Sequence, residues 1–201
     1  MSQTVFLDPL KSALPLRRFT VSEYHQMGEA GILSEDDRVE LIDGVIIQMN
    51  PQRSRHSAVI NQITWQFYQL VPKEKALLRI QTPILLTDST EPEPDLAMVK
   101  PRADVYVKAH PSPGDVLLLI EVSDTTLEYD KEVKLPRYAA SGIPEVWVVN
   151  LVDDTIEVYR DPLKLPDGTA IYRTRTDCVK GETLAPQAFS SLKIAVDEVL
   201  V

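Results

Sequence analysis

Two carboxylates sit where apolar runs begin and end. Asp95 follows Glu91-Pro92-Glu93-Pro94 and opens an apolar run over residues 96–99, while Glu121 closes the run 117–120 and leads into Val122-Ser123. If both runs are strands and pair as antiparallel neighbours, these two ends meet. Converging carboxylates repel each other, and the repulsion is relieved by a shared proton or by a hard cation such as magnesium. A third group of charged residues lies downstream. Asp130, Lys134 and Tyr138 recur at i, i+4 and i+8, one face of a helix, which taken alone reads as a solvated ion-pair stripe. An aspartate just before a strand is, likewise, ordinarily a turn residue.

The elements that must carry these groups are legible from turn and capping signals. Thr20-Val21-Ser22-Glu23 is a capping box that opens a short helix ending near Gly28 or Gly31. Two apolar runs around Asp43-Gly44 form a hairpin, with Glu40 on its first strand. Ile60, Ile63, Phe67 and Leu70 recur at helical spacing over 54–70. Strands are expected at 77–86, 95–99 and 116–122, and an exposed loop at 101–115. A helix after Asp130 stops at Gly142, ahead of Pro144, with Pro136 tolerated in its early turns. A second hairpin surrounds Asp153-Asp154. This order predicts an α/β (α+β) fold, a central mixed sheet flanked by helices with added hairpins. Residues 1–18 read as an N-terminal arm with Pro9, Pro15 and Arg17-Arg18, and 19–201 as one domain.

Composition narrows the function classes. The 201 residues carry a formal net charge of -9 and one cysteine, Cys178, which excludes an internal disulfide and a multi-cysteine zinc site. No run of about 18 apolar residues spans a bilayer, and the N-terminal residues lack signal-peptide order, so a cytoplasmic location without a membrane partner is expected. The seven glycines are not clustered into a phosphate-cradling loop. An acidic chain binds nucleic acid only through local patches or through metal ions. Arg53, Arg55 and His56, at the start of the 54–70 helix, are such a patch, although a lone histidine there also serves as a cap or surface residue. Trp65, Tyr68 and Trp147 are expected in the core.

Taken together, Pro94-Asp95, Glu121-Val122-Ser123, Asp130 with Lys134 and Tyr138, and Gly142-Ile143-Pro144-Glu145-Val146-Trp147 resemble the Uma-type restriction endonuclease family, formerly a domain of unknown function, of the PD-(D/E)xK nuclease superfamily. The likeness runs from about Thr20 to Tyr159, about two thirds of the chain, and takes in His56 and the hairpin from Val39 through Glu40 to Gly44. Where the superfamily places lysine two residues after the second acid, this chain has Ser123, and Lys134 is the matching position on the following helix. The resemblance implies a restriction-endonuclease-like fold and a metal-dependent DNA endonuclease, with Mg2+ (or Mn2+) held by Asp95, Glu121 and the Val122 carbonyl. It implies Lys134 as the group that orients water or stabilises the transition state. For Glu40 it favours an additional acid near the metal over a plain edge-strand charge. DNA is the implied partner, and a homodimer the expected assembly. A catalytically degenerate nuclease fold, kept for DNA binding or dimerisation, is the competing expectation. Alanine at Asp95 or Glu121 is expected to leave folding largely intact, because both stand at strand ends.

Overall fold

The computed structural model of the chain describes residues 16–34 and 36–201, so most of the expected N-terminal arm lies outside the described residues. Its centre is a six-stranded mixed sheet in the order β3-β4-β5-β6-β7-β8: β3 (Leu77–Ile80), β4 (Leu96–Val99), β5 (Val116–Ser123), β6 (Glu145–Asn150), β7 (Thr155–Lys164) and β8 (Ala170–Cys178). All neighbours pair antiparallel except β5 and β6, which are parallel. A parallel pair needs a crossover. Here it is the helical segment α3, made of Leu127–Tyr129, a π-helical turn Asp130–Lys134, and Leu135–Ala140.

Side chains alternate between the two faces of this sheet. Leu96, Met98, Leu118, Ile120, Val122, Trp147 and Val149 pack with Val59, Ile60, Ile63 and Phe67 of α2 (Ser54–Leu70). Ala97, Val99, Leu119, Val146 and Val148 point the other way, onto Tyr138 of α3 and Ile143. Both faces are therefore covered, which is why β5 and β6 read as unbroken apolar runs. Glu121 and Ser123 fall in the second set by parity. The sequence thus delivers them to the α3 side.

A separate hairpin, β1 (Val39–Ile42) with β2 (Val45–Gln48), joins the body through a bridge between Leu41 and Glu91. Its turn has positive φ at both Asp43 and Gly44, as a tight two-residue hairpin requires. Gly44 is doubly constrained, since an added Cβ would come within 2.7 Å of the Arg18 Cβ and 2.8 Å of the Phe19 carbonyl. The capping box at Thr20 and Glu23 opens α1 (Val21–Glu29), and Gly31, with φ 71, follows its end.

Three expectations need correction. The strand expected over 77–86 stops at Ile80, because Gln81 has φ 48 and Pro83 cannot donate to a ladder. Trp65 and Tyr68 are not core residues: each is 63% exposed, on the side of α2 turned away from the sheet, whereas Trp147 is buried as expected. The stripe formed by Asp130, Lys134 and Tyr138 is not solvated either, since all three side chains are buried against the sheet. Beyond the second hairpin, β8, β9 (Thr183–Leu184), β10 (Ile194–Ala195) and α4 (Val196–Val199) complete the chain. Among the described residues, no helix is long and apolar enough to cross a membrane.

Candidate active site

The β4–β5 register brings the two strand-end acids together. Leu96 pairs with Ile120, so Asp95 lies opposite Glu121, and the Glu121 Oε2 accepts the Asp95 backbone N–H at 3.4 Å. The Asp95 Oδ2 accepts the Val122 N–H at 2.8 Å and lies 3.1 Å from the His56 Nε2, while Oδ1 accepts from the Gln81 side chain at 3.3 Å. The positive φ that ends β3 at Gln81 is what turns this amide toward Asp95.

Lys134 enters from the π-helical turn of α3, a wider turn of a kind often found at functional sites. Its Nζ is 3.3 Å from Glu121 Oε1 and 3.3 Å from Glu40 Oε2, and donates to the Glu93 carbonyl at 3.3 Å. Glu40 accepts from the Glu93 N–H at 2.9 Å and from the Tyr129 hydroxyl at 2.8 Å. The Tyr138 hydroxyl donates to Glu121 Oε1 at 2.5 Å. Asp95, Glu121, Lys134 and Glu40 therefore converge, with Val122 and His56 beside them. Of the three expected phosphate contacts, Arg53 stands at the rim of a small cleft lined by Asn50, Gln52, His56, Asp124 and Thr125, and pairs with Asp124 at 3.2 Å. Arg55 is turned elsewhere, onto the Asp154 carboxylate and the Leu151 carbonyl. A larger cavity of about 410 Å³, lined by Val158, Arg160, Thr176, Cys178 and Leu184, lies apart from this cluster, and its one cation is already paired with Glu145. We place the chemistry in the charged cluster for that reason.

Burial decides the electrostatics. Only 15% of the Asp95 and 14% of the His56 side chain are exposed, and Glu121, Lys134 and Glu40 are nearly dry. Burial pushes the Glu121 carboxyl well above the ordinary carboxylate range, although the Lys134 ammonium pulls against it. Burial alone would lower Lys134, but Glu121 and Glu40 outweigh it and hold the ammonium well above its ordinary value. These directions compete for one proton. Lys134 keeps its charge because two carboxylates flank it at equal distance. Tyr138 is pushed far up by burial and by Glu121, and so remains a donor to that carboxylate.

The donor set suits a hard divalent cation. Three carboxylates against one ammonium leave two uncompensated negative charges, all on oxygen. Magnesium is ordinarily bound through one or two carboxylates, with water and substrate phosphate filling the other positions. Asp95, Glu121 and the Val122 carbonyl are the residues that could hold it.

Glu121 stands at a strand end, as expected, yet it is buried and bonded to Lys134 and Tyr138, so alanine there is expected to cost stability by stranding both neighbours. Sequence reasoning also missed Gln81, Glu93 and Tyr129. Tyr129 had a visible signal, its place next to Asp130, whereas Gln81 acts through a backbone conformation that no local pattern announces.

Asp130 makes a second buried contact, accepting from the Ser123 hydroxyl at 2.8 Å, and burial raises its carboxyl from 3.8 to about 6 against the pull of Lys134. A carboxyl raised in the fold stabilises it below the unfolded value, and that contribution is lost as pH rises through the folded value. Above pH 6 the charged form therefore costs on the order of 3 kcal/mol. Asp130→Asn is expected to be more stable than the parent by about 1–3 kcal/mol at pH 8 and no more stable at pH 4, read by urea denaturation at both pH values. An equal effect at the two would show that Asp130 does not titrate in this way.

Comparisons with known proteins bear on the family and the fold. A family model, Uma2, described as "Putative restriction endonuclease", matches residues 21–197. A solved structure described as a putative nuclease belonging to DUF820 from Anabaena variabilis ATCC 29413 superposes with a TM-score of 0.65 at 17% identity, covering 90% of this chain and 97% of that one. At that identity the likeness concerns the fold. No curated protein matches the chain at a significant level. The family match spans both strand-end acids, the hairpin glutamate and the π-helical lysine, and the chain belongs to the Uma2 family, described as putative restriction endonucleases.

Proposed function

We propose that this chain is a metal-dependent DNA endonuclease in which Asp95, Glu121 and the Val122 carbonyl hold Mg2+ or Mn2+ and Lys134 acts on the attacking water. The observation that carries this reading is the convergence of the Asp95–Glu121 strand pair with an ammonium 3.3 Å from Glu121. A divalent cation held there lowers the pKa of a bound water and neutralises charge on the phosphate. The chain's own residues do the rest. Tyr138 fixes the orientation of Glu121, and Gln81 with the Val122 N–H fixes Asp95. Glu40, anchored by Tyr129 and the Glu93 N–H, holds Lys134 in place, so the lysine that the superfamily carries on the strand is supplied here from α3. Lys134, a compact charge with rotatable donors, can orient water or stabilise the developing negative charge.

DNA approaches through the cleft beside Asp95, where Arg53, 67% exposed, and His56 take a phosphate. Arg55 does not line this cleft and is left out of the contact, whereas Arg53 exchanges Asp124 for the phosphate. With a net charge of -9 and few phosphate contacts, DNA binding is weak without metal. The test is incubation of the purified chain with supercoiled, linear and single-stranded DNA in Mg2+ or Mn2+. Cleavage that chelator and Asp95→Asn both abolish supports the reading. No cleavage of any form in either metal returns the fold to a DNA-binding or dimerisation module.

A duplex has two strands to cut, and a closed two-fold pair is the commonest assembly. A homodimer is therefore part of the proposal. Sedimentation showing only monomer at on the order of tens of micromolar would remove it.

A further inference from the structure

Two of the chain's three histidines meet a buried glutamate that takes no part in the nuclease cluster. His25 lies on α1, Glu91 at the bridge to β1, and His110 near the end of the loop before β5. One ligand atom from each lies within 4.8 Å of the others. The His25 Nε2 is 2.7 Å from the Glu91 Oε1, and the two imidazole rings stand edge to face with centroids 6.3 Å apart. We propose that His25, Glu91 and His110 form a zinc-class metal site, independent of the Asp95–Glu121 centre.

Two observations support it. The Glu91 side chain is 2% exposed, and His25 is its one hydrogen-bonded side-chain partner among the described residues, so a simple ion pair would account for one imidazole and leave the other unused. The Nδ1 of His110 is buried with no hydrogen-bond partner among the described residues.

Two imidazoles and one carboxylate are a recurrent three-residue zinc set whose fourth position is filled by solvent, and imidazole ligands select zinc-class ions over magnesium. Bonds of about 2.0–2.1 Å in a tetrahedron put ligand atoms about 3.4 Å apart, and here they lie within 4.8 Å of one another. His25, 47% exposed, is the flexible member.

Among the described residues, no side-chain hydrogen bond or ion pair links His25, Glu91 or His110 to Asp95, Glu121 or Lys134. A metal here would tie α1 and the loop before β5 to the segment that delivers Glu93 and Asp95.

The test is titration of the chelator-stripped full chain with Zn2+ in excess Mg2+, with Co2+ as a spectroscopic substitute. Expected are one Zn2+ per chain at this site, an unchanged affinity in Glu121→Gln, and a weakening beyond the roughly 10–100-fold typical of outer-shell changes in both His25→Gln and His110→Gln. Circular dichroism checks folding, and if His110→Gln fails to fold, the more exposed His25→Gln decides. No Zn2+ binding by the parent chain, or parent-like affinity in His25→Gln, would overturn the site.

Discussion

Replacing Glu121 with glutamine is expected to abolish metal-dependent cleavage, a fall of at least about 10³-fold in rate, with the fold retained. The size follows from losing a carboxylate ligand to an ion that contributes several kcal/mol of charge stabilisation, at about 1.4 kcal/mol per tenfold. Glutamine keeps the side-chain volume and leaves an acceptor for the Tyr138 hydroxyl, and Lys134 keeps Glu40. Alanine is the harsher change. It removes the acceptor 2.5 Å from Tyr138 and one of the two flanking carboxylates of Lys134 in a dry site, which costs about 3–5 kcal/mol. Comparing the two variants by thermal unfolding and turnover separates the ligand role from the packing role. If Glu121→Gln cuts at near-parental rate, Glu121 is not a metal ligand.

Lys134→Met should separate catalysis from metal binding. Turnover is expected to fall by about 10²–10³-fold, the usual loss for one group that stabilises a transition state, while the carboxylates that hold the ion remain. Stability should fall as well, by about 3–5 kcal/mol near neutral pH, because Glu40 and Glu121 lose the ammonium they share. The sign with pH follows from Lys134, whose charge is held above its ordinary range: its contribution is complete below that range and is lost only as pH rises through the folded value. The gap between parent and variant should narrow in acid, where the stranded carboxylates take up protons. Ser123→Lys in the same background returns a lysine to the face of β5 that carries Glu121, although Ser123 is fully buried on Asp130 and the longer chain must displace that contact. Some recovery of turnover there would mark the ammonium, more than the residue, as the requirement. Unchanged turnover in Lys134→Met would remove lysine from the mechanism.

Much of this arrangement was legible from local signals. The capping box at Thr20 and the Asp43-Gly44 turn are governed by neighbours a few residues away, so pattern alone located α1 and the β1–β2 hairpin. The meeting of Asp95 and Glu121 needed one further assumption, antiparallel pairing of two apolar runs, and the register bears it out. Reasoning from type and spacing failed where tertiary context decides. Asp130, Lys134 and Tyr138 have the spacing of an exposed stripe, yet the crossover between β5 and β6 turns them inward onto a sheet covered on both faces. Trp65 and Tyr68 have the composition of core residues, but the buried side of α2 is taken by Ile60, Ile63 and Phe67. Positive φ at Gln81 truncates a strand that its apolar content predicts, and in doing so supplies Asp95 with a donor. The meeting of His25, Glu91 and His110 joins residues far apart in the chain, which no local spacing could reveal.

The central claim is that Asp95 and Glu121 share a cation, and direct binding of Mn2+ tests it without reference to any substrate. Paramagnetic resonance of Mn2+ titrated into the zinc-loaded chain should show one site that Mg2+ displaces. The same titration should show that site retained in Lys134→Met and lost in both Asp95→Asn and Glu121→Gln. Mn2+ bound equally by the parent chain and by the two carboxylate variants would contradict the claim.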